Sequence, residues 1–468
     1  QGVVKIDVSD LNNVTLLKEY SFIDNRIYSL LETKYFNSES PYNNLEWVGS
    51  WGGGLYIIDH QDNIQEIKAS DKDNSLSHPI VYSLFQDQTG IIWLGTNGGG
   101  LNKINPRKEN FVLLDHNESS NSLSQEKINS IYIDHNDHIW TAVYGNGIER
   151  YLKKENKIIK YNKNLSGKNY FPHTIVTDIL NRNDDELYLA TDLGIVSYDF
   201  KNEIFKKINL LKKDYLIYSL SENDNQIWIG TYNNGLFSYN KNTKEIRQYQ
   251  KGEISDNLIY DTLFDSQNRL WAATNNGLNL IDLDSGEIKE FYKEVDNQKQ
   301  PASNTFRALY LDSNNRVWAA TVGGGVSYYN EDGTFTTYLE ENGLASNIVT
   351  GITEDKNSKI WLATHGGISI IDLVNNSIYN LTPADGIGGW EFNTAYSSPA
   401  KSGLYFGGNH GITFLSDDFS EKNLPAPSVY ITDFQLFQKS VDENQQIFNN
   451  QIYSFEADEN YLAFEFVA

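Results

Sequence analysis

Cysteine is absent from the 468 residues of this chain, and so is methionine. Without cysteine there is no disulfide, no thiolate metal ligand and no cysteine nucleophile, while the redox compartment stays open. The lack of methionine is unusual in a chain this long. No stretch approaches the roughly 18 uninterrupted apolar residues of a membrane helix, no heptad pattern is present, and no secretory signal stands at the start. Basic residues are scarce: Lys and Arg total 38 against 62 Asp and Glu, a net charge of −24. That balance argues against nucleic acid and against an anionic membrane surface, both of which require a basic face. The lysine pairs Lys153–Lys154 and Lys212–Lys213 are short and flanked by acids.

Motifs of chemistry are equally scarce. There is no Gly-x-Ser-x-Gly elbow, no phosphate-binding loop and no cofactor motif. The Asp-rich turns lack the ligand spacing and terminal Glu of a calcium loop. His135 and His138 lie in one turn with Asp134 and Asp137. No third metal ligand is set by spacing, and turn chemistry accounts for the acids.

What the sequence has is a phrase that recurs roughly every 45 residues, a period that marks a propeller or an array. It reads Trp or Tyr, aliphatic, Gly or Ala, usually Ser or Thr, a few small or polar residues, then Gly and an aliphatic. The clearest copies run from Trp93 to Leu101, Trp228 to Leu236 and Trp318 to Val326; others begin at Trp47, Trp140, Trp271 and Trp361, with weaker ones at Tyr188 and Tyr405. Their last glycines are Gly54, Gly100, Gly147, Gly194, Gly235, Gly277, Gly325, Gly367 and Gly411.

Each copy is preceded by a short apolar run, such as Val81–Phe85 or Ile217–Leu220, and a polar turn, such as Asp87–Gly90 or Asp312–Asn315. Short β-branched and aromatic runs bounded by Asp, Asn and Gly predict strands joined by hairpins, four to a blade. The repeated Gly suits a turn of positive φ between the second and third strands. The repeated Trp suits packing between neighbouring blades.

These features predict an all-β fold of seven-bladed propellers with four-stranded blades. Counting seven back from Gly411 gives one ring over 118–424. Residues 1–117 are then the terminal blades of another, incomplete propeller, and one larger ring is the alternative. Residues Gly2–Asp7 match a third strand and Thr15–Tyr20 a fourth, so the sequence opens inside a blade. After the stiff Pro425–Pro427 break the phrase is lost, and Val429–Phe437 and Tyr461–Val467 alternate like the opening strands of a sandwich. Residues 425–468 are too few for the roughly 100 of a complete one.

The phrase from Asp87 to Leu101 resembles the two-component regulator propeller repeat, and the tail from Pro425 resembles the immunoglobulin-like sandwich that follows such propellers. Tyr405–Ile412 looks like their final blade. The resemblance implies the sensor region of a hybrid histidine kinase of Bacteroidetes-type bacteria, with two propellers, a sandwich, a membrane helix and cytoplasmic kinase and regulator domains. It implies a periplasmic, non-catalytic region that binds an oligosaccharide. It also implies control of polysaccharide-utilisation genes through a homodimer of sandwiches in a membrane-anchored parent chain. It implies no cofactor and no nucleic acid. A propeller lyase or hydrolase and a protein-interaction scaffold are the competing readings.

In a propeller the turns between second and third strands and the links into the next blade share one face. The ligand candidates there are Tyr144, Asp192, Tyr232, Asn275, His365, Asn409 and His410, because Tyr, Asn, Asp and His around a channel suit a sugar. The opposing reading is that Asn and Asp only satisfy the turns. Trp390 and Glu391 add to the set because Trp390 precedes an inner strand rather than lying in the repeated phrase. Arg307 stands where other blades carry apolar or small polar residues, placed to pair with an acidic sugar or with a neighbouring carboxylate. Asn304 and Asn347 read as turn formers.

Overall fold

The computed structural model describes residues 2–467 apart from 10–12, 25, 34–44, 60, 71–74, 88–89, 105–111, 117–120, 184, 295–298, 398–402, 417–429, 437–438 and 441–460. The described chain is almost entirely strand, in two compact units: residues 109–419, and residues 1–108 with 420–468.

The polar turn explains the spacing of the repeat. In Asp134–His138 one oxygen of Asp134 accepts the backbone N–H groups of Asn136 and His138, and Asp137 takes the left-handed conformation at φ 62°. Asn268, Asn315 and Ser358 do the same three residues after Asp265, Asp312 and Asp355. The other carboxylate oxygen accepts the indole N–H six residues on. Those bonds are Asp87–Trp93 at 2.7 Å, Asp134–Trp140 at 2.9 Å, Asp265–Trp271 at 3.0 Å, Asp312–Trp318 at 2.8 Å and Asp355–Trp361 at 3.0 Å. One carboxylate therefore caps the hairpin and satisfies the polar atom of the large side chain that the blade buries.

The nine repeated glycines all have positive φ. Geometry adds a second requirement: a Cβ at Gly235 or Gly325 would stand 2.1 or 2.0 Å from the carbonyl oxygen of Tyr249 or Tyr338 on the fourth strand. The N–H groups of these two glycines donate to Asn257 and Asn347, at the entrance to the next blade. The threonine that precedes each turn hydrogen-bonds the same glycine's carbonyl, Thr231 at 2.6 Å and Thr321 at 2.9 Å.

Residues 109–419 hold seven four-stranded antiparallel sheets. Six take their strands in chain order, starting at Ile128–Ile133, Val176–Asn183, Ile217–Glu222, Ile259–Phe264, Phe306–Leu311 and Val349–Glu354. The seventh comprises Phe392–Ser397, Gly403–Gly408, Gly411–Ser416 and, as its outermost strand, Val112–Leu114. Each first strand contacts the first strand of the next sheet, and Phe392–Ser397 contacts Ile128–Ile133, so the cycle closes. The boundary expected at 118 leaves out Val112–Leu114, which pairs with Ile412–Phe414. Counting glycines assigned that strand to the preceding repeat, whereas closure needs it to cover the edge of the last blade.

Between blades the core is aromatic. Trp140 packs with Ile179, Leu187, Leu189 and Tyr198 of the following blade, and Trp318 with Val349, Ile352 and Leu362. Trp140, Trp228, Trp271 and Trp318 are fully buried.

In the other unit, Ile27–Glu32, Glu46–Ser50, Leu55–Ile58 and Ile64–Ile67 form one four-stranded sheet, and Val81–Gln86, Ile92–Thr96 and Leu101–Ile104 form a three-stranded one. Val3–Asp7 pairs with Thr15–Tyr20 as a hairpin. In the tail, Tyr430–Leu436 lies between Lys439–Ser440 and Leu462–Val467 in an antiparallel sheet; Pro425–Pro427 lies outside the described residues. No helix among the described residues is long and apolar enough to cross a membrane.

Candidate functional site

The first residue after each second strand is held by its backbone. The N–H groups of Tyr144, Asp192, Tyr232, Asn275, His365 and Asn409 donate to Lys127, Ile175, Leu216, Leu258, Ile348 and Glu391, the residues that lead into the first strand of the same blade. In the blades of Tyr232, Asn275 and His365 the Thr hydroxyl and the Gly complete the turn. The candidate side chains are therefore not needed to make it.

A second set of positions lies beside them. Every first strand in residues 109–419 slips register at its second residue, a bulge that re-aims one side chain out of the ladder. Four of the seven bulge residues bond the backbone of the next blade: Asn129 to Val176, Thr177 to Ile217, Thr350 to Phe392 and Asn393 to Ile128. The other three, on consecutive blades, are Tyr218, Tyr260 and Arg307, and their side chains pack on one another instead. Tyr218 and Tyr260 stack with centroids 5.8 Å apart, Tyr232 meets Tyr218 edge-on at 5.5 Å, and the Arg307 guanidinium lies 4.1 Å from the Tyr260 centroid. The phenol of Tyr218 is pushed up, first by burial and then by Tyr260 and Tyr232, while the Arg307 charge pulls it down; Tyr144 also acts on it. Tyr144 in turn carries Lys127 4.7 Å over its ring.

Among the ten expected residues, then, the structure gathers Tyr144, Tyr232 and Arg307 around Tyr218 and Tyr260. A separate polar group forms in the seventh blade. Asn409 donates to Glu391 at 2.6 Å and accepts from Asn393 at 3.2 Å, and His410 lies 4.0 Å from Glu126. Trp390 stands exposed on this face, and its carbonyl accepts the Gly367 N–H. Asp192 pairs with the buried His173 at 2.9 Å, a structural contact. Asn275 and His365 are exposed, and no side-chain contact joins them to either group. Asn304 and Asn347 accept the backbone N–H groups of Lys293 and Glu340, as turn formers do.

Tyr218 and Tyr260 are not among the candidates; at the bulge position four of the other five blades of residues 109–419 carry Asn or Thr and the fifth carries Arg307. The same two positions in the other unit hold a further group. Bulge residues Tyr28 and Tyr82 meet edge-on at 5.3 Å, and Trp51, the residue after a second strand, lies 5.3 Å from Tyr28 and 6.1 Å from Tyr82.

One residue past the bulges at Thr177 and Tyr260, two carboxyls join blades. Asp178 accepts the N–H groups of Ile179 and Leu220, and Asp261 those of Thr262 and Leu309. Burial pushes Asp178 up to about 6. Burial, and then the nearby Asp178, push Asp261 up to about 7. His138 accepts from Arg150 and contacts Asp134, and the described residues contain no group of three His, Asp or Glu placed to hold a metal. A cleft of about 620 Å³ lined by Lys212, Trp228, Arg247 and Asp282 lies between the third blade and the end of the third strand of the fourth, and includes none of the ten candidates.

The family description for the two-component regulator propeller matches residues 75–98 and 343–366. The chain is 26% identical over 409 residues to histidine kinase P4 of Formosa agariphila, covering 83% of this chain and 26% of that protein. Its fold matches the extracellular domain assigned to a hybrid two-component system of B. thetaiotaomicron, with a TM-score of 0.66 and 23% identity over 99% of this chain and 66% of that one. It also matches virginiamycin B lyase of Staphylococcus aureus, with a TM-score of 0.51 and 20% identity over 65% of this chain and 99% of the lyase. The fold and its repeats thus define a β-propeller protein. Within that class it carries matches to the two-component regulator propeller at two of its repeats, is similar in sequence to a histidine kinase and has the fold of the extracellular domains of hybrid two-component systems. It spans about a quarter of the length of the curated relative it matches.

Proposed function

We propose that this chain is the periplasmic ligand-sensing region of a membrane-anchored hybrid two-component kinase, and that its ligand is an oligosaccharide whose arrival controls polysaccharide-utilisation genes. The observation that carries the reading is the exposed face where Tyr218, Tyr232 and Tyr260 form a contiguous aromatic surface beside Arg307 and Tyr144. Sugars present apolar C–H faces and polar edges, so they stack on such rings while amides and guanidinium groups hold the hydroxyls. The polar group of Glu391, Asn409 and His410 supplies further donors and acceptors on the same face.

Signalling requires that the ligand favour one of two states, since equal affinity for both transmits nothing. A homodimer through the tail sandwich, with the ligand altering the spacing of the two copies, meets that requirement. The likeness to virginiamycin B lyase is one of fold, at 20% identity.

The test is a thermal-shift screen of this chain against oligosaccharide digests of defined linkage, with product analysis. The expected result is a specific rise in Tm with no consumption of the sugar, abolished by Tyr218→Ala with Tyr260→Ala. Turnover of the sugar, or silence across the panel, would overturn the reading.

A further inference from the structure

Arg307 is set apart from the other arginines among the described residues by its lack of a carboxylate. Arg26 pairs with Asp24, Arg150 with Asp134, Arg182 with Glu186 and Glu222, Arg247 with Glu253, Arg269 with Asp265 and Arg316 with Asp312. Among the described residues, Arg307 alone of the arginines has no carboxylate within ion-pairing distance. Acids outnumber bases 62 to 38 here, so an exposed arginine left without one requires an explanation.

The neighbourhood supplies it. Arg307 occupies a bulge position, has its guanidinium carbon 4.1 Å from the Tyr260 ring centroid and is exposed. A guanidinium packed on a ring still has its N–H donors to offer, the group that receives an oxyanion through two parallel hydrogen bonds. Other acids of the same face are engaged elsewhere: Asp192 with His173, Glu391 with Asn409 and Glu126 beside His410. Lys127, over Tyr144, adds a second cation at the far end of the aromatic group. In a molecule of net charge −24, long-range repulsion disfavours an anion, so a local pair of cations on an aromatic floor marks the place where that repulsion is overcome.

We propose that the ligand of this face is an anionic oligosaccharide, with a uronate carboxylate or a sulfate ester seated on Arg307 and the sugar ring stacked on Tyr260 and Tyr218. The inference rests on the oligosaccharide reading above and narrows it to acidic sugars. Arg307 is the residue that selects for charge, and the tyrosines supply affinity common to all sugars.

The experiment is calorimetric titration of the whole chain, at low and at physiological salt. The probes are tetrasaccharides of polygalacturonate and alginate (uronates), of carrageenan (sulfated, neutral sugar) and of desulfated galactan (uncharged). An acidic member is expected to bind with affinity that falls as salt rises. Arg307→Gln is expected to weaken it about 10- to 100-fold, and Arg307→Lys, which keeps the charge and loses the fork, to give a smaller loss. The uronate and sulfate arms tell the two anions apart. Because Arg307 is exposed, the unliganded Tm of both variants should stay within a degree or two of the parent, which separates lost recognition from lost folding. If uncharged galactan binds as tightly as the acidic probes and Arg307→Gln leaves its affinity unchanged, the charge selection is overturned while the oligosaccharide reading stands. If no member binds, both fall.

Discussion

Five aspartates, Asp87, Asp134, Asp265, Asp312 and Asp355, each accept a backbone N–H of their own turn and the indole N–H of the Trp six residues on. At Asp312 the guanidinium of Arg316 adds a third kind of donor at 2.7 Å. Removing a buried acceptor leaves several donors without partners, which costs more than the net worth of one hydrogen bond. Asp312→Ala is expected to destabilise residues 109–419 by about 3 kcal/mol, read as a lower urea midpoint at unchanged slope. Trp318→Phe, which keeps most of the apolar burial and loses only the indole donor, should cost about 1–2 kcal/mol. A larger loss for the Trp variant than for the Asp variant would show that burial, rather than the shared carboxylate, holds the hairpin.

At the scale of the element, Asp178 and Asp261 decide how blades respond to pH. Their folded values are pushed above the ordinary carboxyl value of 3.8, up to about 6 and about 7. Groups raised in this way favour the folded state while both states hold the proton, and that contribution fades as pH rises through the folded value. Between pH 5 and pH 8 the two carboxyls therefore work against stability as they ionise. Asp261→Asn cannot ionise, and its amide presents N–H to one of the two N–H donors of Thr262 and Leu309, so the variant should be the less stable protein at pH 5. The gap should narrow by about 1–2 kcal/mol at pH 8, discounted from 1.36 kcal/mol per unit because Asp261 keeps some contact with solvent. A gap of the same size at both pH values would sink this account.

The elements also show what the sequence could and could not tell. The hairpins and the repeated Trp and Gly were legible because they recur with fixed spacing and each has a local physical cause, visible in Asp312, Trp318 and Gly325. The ligand candidates taken from the turns were half legible. Tyr232 and Arg307 share one group, but Asp192 is bound to His173, a partner from the preceding blade link that no local spacing reveals. Tyr218 and Tyr260 were overlooked because they read as ordinary strand aromatics. Only the bulge, which depends on two strands pairing out of step, turns them out of the ladder.

For the whole molecule, closure is the feature that no single repeat carries. Val112–Leu114 precedes the first complete blade of residues 109–419 and forms the outer edge of the last, pairing with Ile412–Phe414. An added Cβ at Gly411 would meet the Leu114 carbonyl oxygen at 2.1 Å, the same distance as at Gly235, so the closing strand packs like the fourth strand of a continuous blade. Without Val112–Leu114 the seventh sheet would expose an unpaired edge and the contact between Phe392–Ser397 and Ile128–Ile133 would have to hold the ends alone. Leu113→Pro distorts the middle of this short strand and should cost about 2–3 kcal/mol. The effect on the unfolding transition is the more telling reading, because a ring joined at both ends unfolds as one unit while an opened ring frays from its last blade. Hydrogen exchange should show protection lost first in Gly403–Gly408 and Gly411–Ser416, with Ile217–Glu222 and Ile259–Phe264 on the far side of the cycle unchanged. Uniform loss of protection around all seven sheets would mean that the ring tolerates no open state, and that the closing strand and the rest of the ring form a single cooperative unit.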